Sequence, residues 1–302
     1  MSQYQRIFLI AGPSMRHSPA MQRAQAIADA TGAALHITLF IEDVDILGLM
    51  SGGEALRKQL QDEHRKWLAD EADVMRRSGI DVTSEVVLTR TVYEDMLEQV
   101  KRLQPDLVIK DVHHESLLKR VFITPLDWHL LRECPAAVHF VSQIQCPLPR
   151  VIVAAVDLAP QHTQNPASTT NDCIMATATR LAEQCDAELH LLHAYDTAHT
   201  HITDAGAGTV TMPGFNSEVR KALQHAFTQL AEHYEIPPER QHLLAGFPVK
   251  AIAEFAAQHR ADVIVMGNTH HTGLDKRVGS TTEHVLYQVP CNILATREKL
   301  EP

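Results

Sequence analysis

Short, continuous apolar runs alternate along the chain with longer stretches in which apolar residues return at helical spacing. Ile7-Phe-Leu-Ile-Ala follows Arg6, and Val151-Ile-Val-Ala-Ala-Val156 follows Arg150. Runs without polar alternation predict strands buried on both faces of a parallel sheet. A polar loop and a helical pattern come next in each half, over Pro19 to Thr31 and Ser168 to Cys185. Second strands are predicted at Ala34 to Phe40 and Glu188 to Ala194, and long helices at Glu54 to Arg77 and Ser217 to Tyr234. Short strands at Thr83 to Leu88 and Arg240 to Ala245 precede short helices at Tyr93 to Arg102 and Pro248 to Gln258.

The same order of elements thus occurs twice. The match is closest where Gln104-Pro-Asp-Leu-Val-Ile-Lys110 parallels Arg260-Ala-Asp-Val-Ile-Val-Met266, and where Leu131 to Val141 parallels Leu286 to Thr296. Strands alternating with helices imply parallel sheets covered on both faces. The expected fold class is therefore α/β, with two tandem Rossmann-like domains. Each is an open, mostly parallel five-stranded sheet with helices on both faces. Gln145-Cys-Pro-Leu-Pro-Arg150 is the natural linker, because its two prolines interrupt both periodicities. The domains are expected at 1–145 and 150–302.

In such sheets ligands lie at the carboxyl ends of the strands, at the topological switch point. In the second half this singles out the loops after Val156, Ala194 and Met266. Asp157 closes the first of these strands. Met266-Gly267 closes the fourth and leads into a loop carrying His270, Gly273 and Gly279, then Ser280, Thr281 and Thr282. Glycines let backbone approach a phosphate, and a helix start offers N–H and hydroxyl donors. Taken alone, such a loop is equally well an ordinary strand-to-helix turn with a Ser or Thr cap.

Charge and composition narrow the classes. The 27 Lys and Arg against 37 Asp and Glu give a net charge of −10, without the broad basic footprint that nucleic acids reward. No apolar run approaches the length of a membrane span. The five cysteines form no Cys-x-x-Cys pair, which suits a reducing compartment, so a cytoplasmic location is expected.

The combination Ala261-Asp-Val-Ile-Val-Met-Gly267, Gly273-Leu274, Gly279-Ser280, Val285-Leu286 and Val289-Pro-Cys-Asn-Ile-Leu resembles the signature of the universal stress protein family. Gly246-Phe-Pro248 and, in the first half, Thr124-Pro-Leu-Asp-Trp128-His-Leu-Leu-Arg132-Glu-Cys-Pro135 are similar to tandem members of that family. The resemblance spans nearly the whole chain. It implies an adenine-nucleotide alpha-hydrolase-like fold, a stress-response role, and ATP binding in the second domain, with Mg2+ as companion ion. Carried over residue by residue, Gly267, Gly279, Ser280 and Thr281 match phosphate-holding positions. Val156 and Asp157 match positions near adenine and ribose, and Ala194 matches an adenine neighbour. Two departures stand out. His270 replaces the second glycine, and the spacing onward to Gly279 is one residue short. The first half departs further: Gly12-Pro13 stands at the aspartate position, Lys110-Asp111 at the first glycine region and Thr124-Pro125 at Gly-Ser. An aspartate repels phosphate and a proline offers no N–H, so this half reads as degenerate for ATP.

The remaining features fit blander readings. His190, His193, His199 and His201 form a histidine-rich stretch, read as solvated or locally packing imidazoles in preference to a zinc site. Ser51-Gly-Gly-Glu54 reads as a turn and helix cap, Thr203 to Asn216 as an unstructured surface loop, and Trp67 and Trp128 as packing residues. No catalytic constellation is visible; slow ATP hydrolysis or self-phosphorylation at Ser280 or Thr281 is the most that is expected. The alternative is a carrier or interaction protein holding an apolar or lipid-like ligand in the first repeat. The last strands, Ala137 to Val141 and Asn292 to Thr296, are apolar edges that need covering. They are expected to pair the repeats within the chain, with homodimerisation open.

Overall fold

The structure is a computed structural model. It describes residues 3–12, 17–43, 53–112, 126–158, 169–196, 202–204, 208–210, 215–267, 281–286 and 288–297. It divides into two units, Met1–Leu148 with Asn292–Ala295, and Pro149–Cys291 with Thr296–Pro302.

The first unit runs β1 (Arg6–Ala11), α1 (Pro19–Thr31), β2 (Ala34–Glu42), α2 (Gly53–Arg77), β3 (Val82–Thr89), α3 (Val92–Leu103), β4 (Leu107–Asp111), α4 (Leu126–Glu133) and β5 (Ala137–Val141). Its strands lie in the order β5-β4-β1-β2-β3, all parallel. The second unit runs β6 (Val151–Ala155), α5 (Thr169–Cys185), β7 (Glu188–Tyr195), β8 (Ile202–Asp204), β9 (Gly208–Val210) and α6 (Phe215–His233). A 3₁₀ turn at Pro238–Arg240, β10 (Gln241–Ala245), α7 (Pro248–His259), β11 (Val263–Gly267) and α8 (Thr281–Leu286) follow. Here the parallel order is β10-β7-β6-β11. The final strand, β12 (Asn292–Thr296), runs antiparallel to β5, with Leu294 opposite His139. The Asn292 side chain accepts from the Ser142 amide at 2.9 Å, fixing the end of β5.

Repeat equivalence extends to details that local chemistry explains. Asp106 Oδ2 accepts from the Gln5 and Arg6 amides, and Asp262 Oδ2 from those of Arg150 and Val151. Each aspartate thus ties the start of its unit's first strand to the strand beside it. Gln104 and Arg260 close α3 and α7 in the same left-handed conformation, at φ 44° and 50°. Ile7 pairs with Leu107 and Ile152 with Val263. Arg6 is therefore equivalent to Val151, one residue from the match that the basic residues Arg6 and Arg150 suggest, and Gly12 falls opposite Asp157. Cores are built from strand residues such as Phe8, Leu9, Ile37, Val108, Val153, Leu191 and Val265, all essentially inaccessible. One expectation is corrected: Thr203 to Asn216 contains strand structure, since β8 and β9 pair antiparallel with Ile202 opposite Val210. Its β-branched residues outweigh its glycines locally.

Candidate functional site at the strand ends

In the second unit β6 has β7 on one side and β11 on the other, so the switch-point crevice opens between the carboxyl ends of β6 and β11. The structure brings Val156, Asp157, Ala194, Met266 and Gly267 to this end of the sheet. Thr281 begins α8, while His270, Gly279 and Ser280 lie outside the described residues.

Asp157 is exposed, and its backbone is gripped from both sides by one side chain. Its N–H donates to Asn171 Oδ1 at 3.1 Å, and Asn171 Nδ2 donates to its carbonyl at 2.8 Å. Asn171 is buried in the first turn of α5. The Val156 amide donates to the Leu192 carbonyl at 2.9 Å, and its own carbonyl lies 2.9 Å from His193 Nδ1. Burial holds the His193 imidazole below its ordinary pKa, against the opposing pull of that carbonyl and of Asp157. His193 is therefore neutral at pH 7, with its proton on Nδ1 facing Val156. Met266 is buried. Gly267 has a packing reason to lack a side chain. A Cβ there would fall 2.6 Å from Thr170 Cγ2 and 3.1 Å from Ile174 Cδ1, so α5 can lie this close only over glycine. Thr282 Oγ1 donates to the Gly267 carbonyl at 2.9 Å, anchoring α8 to β11. Asn171 escapes sequence reading because nothing in its spacing marks it, and Thr282, read there only as a hydroxyl of the helix start, owes its bond to Gly267 to contacts across the fold.

The first unit builds the same place differently. At the position of Gly267 stands Asp111, 2% exposed, whose Oδ1 accepts from the Ala20 amide at 2.9 Å. Lys110 Nζ lies 2.6 Å from Asp127 Oδ1 and 3.0 Å from the Asp111 carbonyl, and both of these charged residues are buried. Asp127 is the second residue of α4, as Thr282 is of α8. An ionic link thus replaces the neutral hydroxyl link.

The histidine-rich stretch resolves into another grouping. His190 Nδ1 lies 3.0 Å from His242 Nε2, and the His242 and His259 rings lie 5.2 Å apart. His199 and His201 fall outside the described residues. Burial lowers the pKa of His190 and takes that of His242 to about 4. Among the described residues no group of three His, Cys, Asp or Glu side chains is arranged to hold a metal ion. The five cysteines form no disulfide, and burial pushes Cys291 up to about 12. No helix among the described residues is long and apolar enough to cross a membrane.

The fold defines a tandem α/β protein in which the same parallel strand order occurs twice. The universal stress protein family matches residues 3–142 and again 150–297, and the chain belongs to that family. It is 30% identical to universal stress protein E of Photorhabdus laumondii, with 98% of this chain and 96% of the relative covered. With universal stress protein E of Escherichia coli K12 it shares 27% identity over 98% of this chain and 95% of the relative. The crystal structure of a universal stress protein from Archaeoglobus fulgidus shares the fold, with TM-score 0.66, 17% identity and coverage of 98% and 97% of the two chains.

Proposed function

We propose that this member of a stress-response family is a cytoplasmic protein whose second repeat binds ATP with Mg2+, and that its role is to sense or store nucleotide. The observation that carries this reading is Asp157. Its backbone is held by two hydrogen bonds to the Asn171 side chain at the switch point, and the residue is exposed. A carboxylate so placed accepts from vicinal hydroxyls such as those of ribose. Val156 and Ala194 would flank the base, and the stretch from Gly267 through His270 to Gly279, Ser280 and Thr281 would carry the phosphates. Gly267 is compatible with this role but is already explained by the packing of α5. Slow ATP hydrolysis or self-phosphorylation at Ser280 or Thr281 is the most that this reading includes. The repeats pair within the chain through their last strands, a reading supported by the antiparallel register of β12 on β5.

The test is calorimetric titration of Mg-ATP into the intact protein and into a Gly279→Pro, Ser280→Ala double variant. Micromolar binding by the former that is lost in the latter supports the reading. No heat and no nucleotide retained through purification overturns it, and the carrier reading then takes its place.

A further inference from the structure

The N-terminus of α1 accounts for all of its own donors. Pro19 has no N–H; the Ala20 amide goes to Asp111 Oδ1 at 2.9 Å, the Met21 amide to Ser18 Oγ at 3.2 Å, and the Gln22 amide to the Ser18 carbonyl at 3.1 Å. A helix start attracts anions through its dipole and its unpaired N–H groups, and in α1 the Ala20 amide is the one that reaches an acceptor outside the cap. Here the anion comes from across the switch point. Asp111 closes β4, whose neighbour β1 leads into α1, so its side chain spans the crevice between the carboxyl ends of β1 and β4. A second observation concerns the same carboxylate. Asp111 Oδ2 is buried and meets no hydrogen-bond partner among the described residues, an expensive condition for a group that serves only as a helix cap. The adjacent ammonium does not relieve it, because Lys110 Nζ is directed to Asp127 Oδ1 and to the Asp111 carbonyl.

We infer that the first repeat carries a built-in anion. The Asp111 carboxylate occupies the place at the α1 N-terminus where an external oxyanion would bind, and removing it creates a site for a carboxylate of similar size. The first repeat is thereby filled by its own chain at the switch point. In the second repeat the equivalent position is Gly267, which supplies no such group. This inference rests on the geometry of the first repeat alone and holds whether or not the second repeat binds ATP.

The experiment is thermal unfolding of Asp111→Gly, followed by the fluorescence of Trp67 and Trp128, both of which lie in the first unit. Sodium formate is compared with sodium chloride at equal ionic strength. The variant is expected to melt below the unaltered protein, and formate at tens of millimolar to raise its midpoint by roughly 2–4 °C more than chloride does. The unaltered protein should respond equally to both salts. Asp111→Asn keeps an acceptor for the Ala20 amide and should melt at an intermediate temperature without a formate response. Equal responses of Asp111→Gly to formate and chloride overturn the inference. If Asp111→Gly does not fold in chloride, refolding is scored with formate. Recovery supports the inference, and failure to recover while Asp111→Asn folds overturns it. An absence of ATP binding by the second repeat changes none of these outcomes.

Discussion

At one equivalent point of the two repeats, the end of the fourth strand, the first carries Asp111 and the second Gly267. The consequences spread outward from that difference. Over Gly267 the helix α5 has 17 residues, against 13 in α1, and its additional first turn brings Thr170 into contact and Asn171 onto the Asp157 backbone. Beside Asp111 the helix starts later, and the carboxylate fills its N-terminus. The link to the next helix changes in step, from the Thr282 hydroxyl to the Lys110–Asp127 ion pair. A duplicated fold can therefore keep its strands, caps and registers while its ligand end diverges. The strands are held by burial, and the strand ends only by a few polar contacts.

The largest effect in this comparison is expected at the ion pair. Lys110→Ala removes the ammonium from the buried Asp127 and should cost about 3–5 kcal/mol, whereas Lys110→Met with Asp127→Thr should restore most of it. Urea unfolding followed by tryptophan fluorescence measures both. Next comes Gly267→Asp, which transplants the first repeat's residue into the second. Its Cβ meets Thr170 2.6 Å away, so a loss of about 1–3 kcal/mol is expected, visible in circular dichroism more than in the tryptophan signal. A smaller loss, about 1 kcal/mol, should follow Asn171→Ala, with faster amide exchange at Asp157 as its local signature.

A last contrast is one of histidine surroundings. His36 and His190 are third in their strands. The first faces Thr83 and Glu85, at 2.7 and 3.1 Å, and the second faces His242. The folded-state pKa values of His190, His193 and His242 lie below the ordinary 6.5, with His242 at about 4. Unfolding then takes up protons, so the stability of their neutral forms is full above pH 6.5 and is lost as pH falls from 6.5 toward 4. In the first unit the buried His139, held at about 3, extends the same loss to lower pH. Replacing His242 by Phe should flatten the dependence of the unfolding midpoint between pH 6.5 and 4 while leaving that at pH 7.5 nearly unchanged. An unaltered slope would show that His242 does not contribute.

The repeat and its alternation of strands and helices in an α/β fold were legible because burial and helical periodicity leave direct marks on sequence. Even so, the paired arginines Arg6 and Arg150 misplace the register by one residue, since exposed residues at a strand start do not define it. Val156, Asp157, Ala194, Met266 and Gly267 could be placed at the carboxyl ends of the strands from the limits of the apolar runs, and their roles came only from the family resemblance. Asn171, the Thr282 link and the His190–His242 pair could not, because each joins residues that are distant in sequence and ordinary in type. Asp111 was readable as hostile to phosphate. That it caps α1 is a fact of three dimensions, set by the adjacency of β1 and β4.

The central claim is that nucleotide binds at the second repeat and not at the first. Photocrosslinking with 8-azido-ATP, followed by peptide mapping, tests it most directly. Label confined to peptides from residues 150–297, competed away by ATP and reduced in Asp157→Ala, is the expected result. Specific label on residues 3–142, or no ATP-competable label anywhere, would contradict it.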